Sequence, residues 1–137
     1  MLNPKSFIGT WKLVSFQSTL ANGSTVYPLG EKATGFILYS EDGFMNVAIM
    51  KEGFEKSSSP QVSYLDYFAY AGRYELKENS VIHHMDVAVI PQWIGHHQER
   101  VVEWLDDQLC LSTTEPVTLD GITYESNRLI WERVEKE

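Results

Sequence analysis

Between residues 70 and 104 the chain gathers the side chains best suited to chemistry. His83-His84 and His96-His97 hold all four histidines. Tyr70 and Tyr74 precede the first pair, and Arg100 and Trp104 follow the second. A neutral imidazole offers one donor and one acceptor, and a phenol can do either. Tyr74 with His83 can therefore orient a carbonyl or hydroxyl group, or act on it as acid or base. Arg100 can steady negative charge beside them. If the protein is an enzyme, His83, Tyr74 and Arg100 are its catalytic candidates. As a binding site, the candidates are Tyr70, Tyr74, His83, Met85, Trp93, Arg100 and Trp104. A plainer reading stands beside both: Tyr74 and His83 satisfy each other, and Arg100 pairs with Glu99 or Glu103 at a rim.

Other chemistries find less support. Paired histidines invite a metal, but neighbours on a strand point to opposite faces, and roughly 20 Å of strand separates His84 from the second pair. No metal is expected. A single histidine ligating haem stays open, although no cofactor is expected. Asp86, Glu99 and Glu103 fall in an outward phase, which disfavours paired-carboxylate chemistry. Gly-x-Ser-x-Gly, Gly-x-Gly-x-x-Gly and the phosphate-loop pattern are absent. Cys110 lies between two leucines with no charged neighbour to activate it, so it reads as a structural thiol. A lone cysteine forms no intrachain disulfide and agrees with a reducing compartment.

The 137 residues fit one domain spanning 1–137 with a usable core. The net charge is −8, and the lysines and arginines are scattered. Nucleic acid and anionic membranes need clustered cations, so neither is an expected partner. No apolar run approaches a membrane span, and the N-terminus shows no signal-peptide core, which points to the cytoplasm. The expected state is a monomer or homodimer.

The elements that must position these residues are strands. Alternating apolar runs recur between turn signals, and long helical periodicity is absent. The pattern predicts strands over 10–18, 34–40, 44–51, 68–76, 81–90, 97–105, 109–114 and 123–134. A short helical turn over 4–7 follows the cap Asn3-Pro4, and a short helix over 60–66 follows Ser59-Pro60. Short links make an antiparallel meander. Eight strands suffice to close it into an up-and-down barrel, filled by its own side chains or holding one ligand.

Cross-strand register then selects the interior. Across the turn 77–80, Tyr74 falls beside His83, Gly72 beside Met85, and Tyr70 beside Val87. A loop centred near Trp93-Ile94 places His83 opposite Trp104, Met85 opposite Val102, and Val87 opposite Arg100. A two-residue turn at Asp42-Gly43 puts Phe36 and Leu38 inside with Met45, Val47 and Ile49. The same treatment of Asp120-Gly121 fails to bring Trp131 inward, so a bulge or longer loop is expected there. Buried polar groups cost free energy unless paired. An interior holding tyrosines, a histidine and an arginine therefore fits a polar-lined pocket with its mouth near Trp93-Ile94-Gly95 and 57–66.

The termini complete the barrel. Gly9-Thr10-Trp11 opens the first strand and Trp131-Glu132-Arg133 ends the last, which sets Arg133 over the Trp11 ring. These segments, with Gly35-Phe36-Ile37-Leu38-Tyr39, Tyr70-Ala71-Gly72-Arg73-Tyr74 and Val81-Ile82-His83-His84, resemble the lipocalin-like domain family within the calycin group. The resemblance implies a small β-barrel with a central cavity. Two functions follow as expectations. One is an intracellular binding protein for a small, largely apolar organic ligand bearing a polar group. The alternative is a cofactor-independent cyclase or isomerase of polyketide or terpenoid biosynthesis using the same cavity.

Overall fold

The computed structural model describes residues 2–58, 63, 66–119 and 121–135. The Asn3 side chain accepts from Lys5 N at 3.1 Å and caps the 3-10 turn Pro4–Ser6. The chain then forms β1 (Gly9–Leu20), β2 (Thr25–Val26), β3 (Thr34–Tyr39), β4 (Phe44–Met50), β5 (Tyr67–Lys77), β6 (Ser80–His84), β7 (Val87–Ala88), β8 (His97–Leu105), β9 (Gln108–Thr113), β10 (Val117–Leu119) and β11 (Ile122–Arg133). The long strands pair in the order β1-β3-β4-β5-β6-β8-β9-β11, and β11 returns to β1. The result is a closed eight-stranded antiparallel barrel. Closure removes the free edges that an open sheet would expose. Two further 3-10 turns, Phe54–Lys56 and Pro91–Trp93, sit in connections. The helix expected over 60–66 falls mostly on residues outside the described set.

One end of the barrel is shut by its termini. Arg133 lies opposite Trp11, with its guanidinium carbon 4.3 Å from the ring centroid. Its Nη1 and Nη2 donate to the carbonyls of Ile8 and Ser6, each at 2.7 Å. Trp11 Nε1 donates to the Phe7 carbonyl at 2.9 Å, and Phe7 packs edge-on against Trp104. Gly9 is needed at this seam. Its φ is +129°, and a Cβ there would lie 2.8 Å from Arg133 Nη1.

Three registers depart from expectation. Around Asp42-Gly43, Ser40 N donates to Phe44 O and Gly43 N to Ser40 O, with Gly43 at φ 93°. The loop therefore has three residues and a glycine bulge, not two residues. A one-residue slip turns a strand over. Ile37 and Tyr39 face inward opposite Val47 and Met45, while Phe36 and Leu38 are exposed.

The second departure follows β6. The ladder with β5 begins as expected, Tyr74 opposite His83. At Met85 the chain swings out: Asp86 N donates to Ala71 O, and Ala88, not Val87, lies opposite Tyr70. Val87 and Val89 are consequently exposed. Gly72 makes this swing possible, because a Cβ there would lie 2.0 Å from the His84 carbonyl oxygen.

The third departure is at β8. Met85 N donates to His96 O and Gly95 N to Met85 O, so the connection closes immediately after His84. His83 then faces Gln98, six residues short of Trp104. An even slip preserves phase, so Arg100 and Val102 stay on the expected face. For the same reason His84 lies directly opposite His97, with ring centroids 6.0 Å apart, and the expected separation of about 20 Å is wrong. In the last hairpin Leu119 lies opposite Ile122, as a two-residue link requires, and the register then shifts by one residue between Val117 and Ser112, which is the bulge alternative and not the longer loop. β10 is inserted there, and Trp131 pairs with Leu109.

Candidate ligand cavity

Beyond the shut end the barrel encloses a cavity of about 480 Å³, the size of a site for one small organic molecule. Ile37, Val47 and Ile49 from β3 and β4 form one apolar wall, and Leu111, Leu129 and Trp131 from β9 and β11 form another. Period-two alternation supplies both. Toward the loops, Leu29 folds in from the connection between β1 and β3 and is buried. Glu52 N donates to its carbonyl at 2.9 Å and holds it there. Phe68, Trp93 and the β10–β11 hairpin residues Val117, Leu119 and Ile122 continue the lining.

A polar pole interrupts this surface. His83 is 2% exposed. Its Nε2 is 2.6 Å from the Tyr39 hydroxyl and its Nδ1 is 2.8 Å from the Tyr70 hydroxyl. Burial, then the Arg100 and His84 charges, lower its pKa to about 3. Burial raises the pKa of both tyrosines. All three groups are therefore neutral near pH 7.

Arg100 stands beside them. It donates to the Glu99 carbonyl at 3.2 Å and to Gln98 Oε1. Burial lowers its pKa, with Tyr70 and Tyr39 opposing. The rim ion pairs expected for it do not form. Glu99 instead accepts from Ser80 Oγ at 3.0 Å and lies 3.9 Å from Lys77 Nζ, while Glu103 lies 3.5 Å from Arg128 Nη2. Among the described residues Arg100 has no ion-pair partner. Further polar side chains border the cavity, among them Lys51, Thr113, Thr118, Tyr124, Asn127 and Trp131. Asn127 accepts from Ser18 Oγ at 2.5 Å, and Trp131 Nε1 is buried without a partner among the described residues.

Of the residues singled out from sequence, Tyr70, His83, Trp93 and Arg100 border the cavity. Tyr74, Met85 and Trp104 do not. Tyr74 turns its hydroxyl away and donates to the Ser40 carbonyl at 2.9 Å. The expected Tyr74–His83 hydrogen bond is replaced by Tyr39 and Tyr70, because the slip of β3 brings Tyr39 inward. Met85 is buried in the swing after β6. Trp104 packs on Phe7 and Trp11 at the shut end, since β8 runs further along β6 than expected.

Sequence reasoning missed Tyr39, Gln98, Asn127 and Leu29. Gln98 was within reach, being in step with Arg100. Leu29 was not, because a loop has no period to read. The described residues contain no group of three or more side chains placed to hold a metal. His84 Nε2 instead lies 3.7 Å from Glu75 Oε2.

An antiparallel eight-stranded barrel, sealed at one end by its termini and hollow inside, defines a class of small β-barrel. The chain belongs to the lipocalin-like domain family, which residues 8–134 match. It is 41% identical over 76 residues to a 4'-hydroxy-3'-methoxypropiophenone carrier protein, ppsC, of Aspergillus oryzae (strain ATCC 42149 / RIB 40). That match covers 50% of this chain and 68% of the relative. The fold is shared with a lipocalin-like protein from Bacteroides uniformis ATCC 8492, at 15% identity and a TM-score of 0.50, over 94% of this chain and 99% of that one.

Proposed function

We propose that this protein binds and carries a small, largely apolar organic molecule whose polar or anionic group meets the pole formed by Arg100, Tyr70 and His83. The observation that carries the reading is Arg100, a cation bordering an apolar cavity with no carboxylate partner among the described residues. A cation desolvated without a counter-charge costs free energy that a ligand oxygen can offset. The similar carrier protein supports the same chemistry. Its stated cargo, 4'-hydroxy-3'-methoxypropiophenone, is an aryl ketone with a phenolic hydroxyl. Such a molecule has an apolar body and oxygen atoms to meet a polar pole. Cys110, a buried free thiol, supports a reducing compartment such as the cytoplasm.

Native mass spectrometry of freshly purified protein tests the reading. The expected result is a mass excess of one small molecule per chain, lost on denaturation and reduced in Arg100→Gln. A bare chain that also stays unoccupied after incubation with apolar acids and aryl ketones counts against it.

A second reading rests on His83, a neutral imidazole between two phenols. That chain can pass a proton through Tyr70 and would serve a cofactor-free cyclase or isomerase, with Arg100 steadying an enolate. Release of a chemically altered molecule favours the enzyme, and release of an unchanged one favours the carrier.

A further inference from the structure

The hydrogen-bonded chain Tyr39–His83–Tyr70 has a fixed proton count. Tyr39 and Tyr70 carry one hydroxyl proton each, and neutral His83 carries one N–H. Two hydrogen bonds join the three side chains, so one of the three protons is left over. Which proton is spare depends on the tautomer. If His83 carries its proton on Nε2, it donates to Tyr39, Tyr70 donates to Nδ1, and the Tyr39 hydroxyl proton has no acceptor among the described residues. Tyr39 is 2% exposed and does not border the cavity, so that proton would be stranded in the core. A stranded buried donor is the costly arrangement. With the proton on Nδ1, Tyr39 donates to Nε2, His83 donates to Tyr70, and the Tyr70 hydroxyl proton is the spare one. Tyr70 borders the cavity.

We infer that Tyr39 fixes His83 as the Nδ1–H tautomer, and that Tyr70 thereby presents its hydroxyl proton to the cavity as the donor that selects the ligand. The inference rests on the small-molecule reading above and narrows its chemistry. Tyr70 Oη already accepts from His83, and the guanidinium of Arg100 only donates. Gln98 Oε1 accepts from Arg100, and Asn127 Oδ1 accepts from Ser18. With both amide oxygens already holding a donor, the Tyr70 proton and the Arg100 guanidinium favour an oxygen that accepts: a carbonyl, carboxylate or phenolate. Tyr39 is a positioning residue, acting through His83 on a ligand it does not touch.

The test has two arms. The first is the ¹⁵N spectrum of the His83 ring in the ligand-free protein, where protonated and unprotonated ring nitrogens are well separated. Protonation at Nδ1 is the expected result, and protonation at Nε2 overturns the inference without any ligand. The second compares 4'-hydroxy-3'-methoxypropiophenone with 2-methoxy-4-propylphenol, which lacks only the ketone oxygen. Wild type should bind the ketone about tenfold more tightly, and Tyr70→Phe should abolish that preference while keeping affinity for the propylphenol. Equal binding of the two probes by wild type, or a preference that survives in Tyr70→Phe, overturns Tyr70 as the selecting donor while leaving small-molecule binding intact. If neither probe binds, the small-molecule reading loses support, and the ring spectrum still decides the donor chain.

Discussion

At the scale of single residues, His83 carries the clearest consequence for solution behaviour. Folding holds it neutral, with its pKa lowered from 6.5 to about 3. Below pH 6.5 the unfolded chain takes up a proton there that the native barrel does not. The unfolded state then binds more protons, so stability falls as pH falls, and it keeps falling until about pH 3. The slope from this group approaches about 1.4 kcal/mol per pH unit. Urea unfolding of wild type and His83→Gln between pH 6.5 and 4 checks it. The variant should be less stable at pH 7 but show the shallower slope. Parallel slopes in the two proteins would remove His83 from the account. Asp86 also has a lowered pKa, chiefly through its hydrogen bond with Arg73, but its effect belongs to more acidic solutions.

At the scale of elements, two contacts decide whether strands meet as they do. Arg133 joins the last strand to the first and to the N-terminal turn. Arg133→Ala should cost about 1–3 kcal/mol in urea unfolding through lost hydrogen bonds and lost packing. Arg133→Lys should recover part of that, because it keeps the charge over Trp11 but not the forked donors. Gly72 admits the chain swing after His84. Gly72→Ala would place a methyl group 2.0 Å from the His84 carbonyl oxygen. It should destabilise by about 1–3 kcal/mol and perturb the amide resonances of Asp86 and Val87. A variant as stable as wild type would show that the close approach is not required.

What was legible in the sequence follows from the same strand physics. Parity survives an even slip, so the sequence puts Tyr70, His83 and Arg100 on one inward face even though Gln98, not Trp104, faces His83. The seam between Trp11 and Arg133 was legible because strands at the chain ends must meet when a meander closes. Tyr39 was not. Ile37-Tyr39 and Phe36-Leu38 are equally apolar, and a three-residue bulged loop and a two-residue turn can carry the same Asp-Gly. The place of Trp104 beside Phe7 and Trp11 is not legible, because no signal in 85–96 marks where β6 leaves its partner.

At the scale of the whole molecule, the barrel separates two tasks. The shut end supplies stability through aromatic packing and the Arg133 clasp, while the other part keeps an apolar volume with one polar pole. Leu29 and the β10–β11 hairpin close over that volume from connections, which are the parts of a fold freest to vary. The strand framework can then remain while ligand choice changes. No helix among the described residues is long and apolar enough to cross a membrane.

The most direct measurement of the central claim is a calorimetric titration of the protein with 4'-hydroxy-3'-methoxypropiophenone and with a medium-chain carboxylic acid. Wild type is compared with Leu129→Trp, which fills the cavity from its β11 wall, and with Arg100→Gln, which removes the cation at its pole. The account predicts one molecule bound per chain for at least one probe. It also predicts loss of that binding in Leu129→Trp with the fold intact by circular dichroism, and about tenfold weaker binding in Arg100→Gln. Saturable binding that both variants leave unchanged would place the ligand outside the cavity and contradict the account.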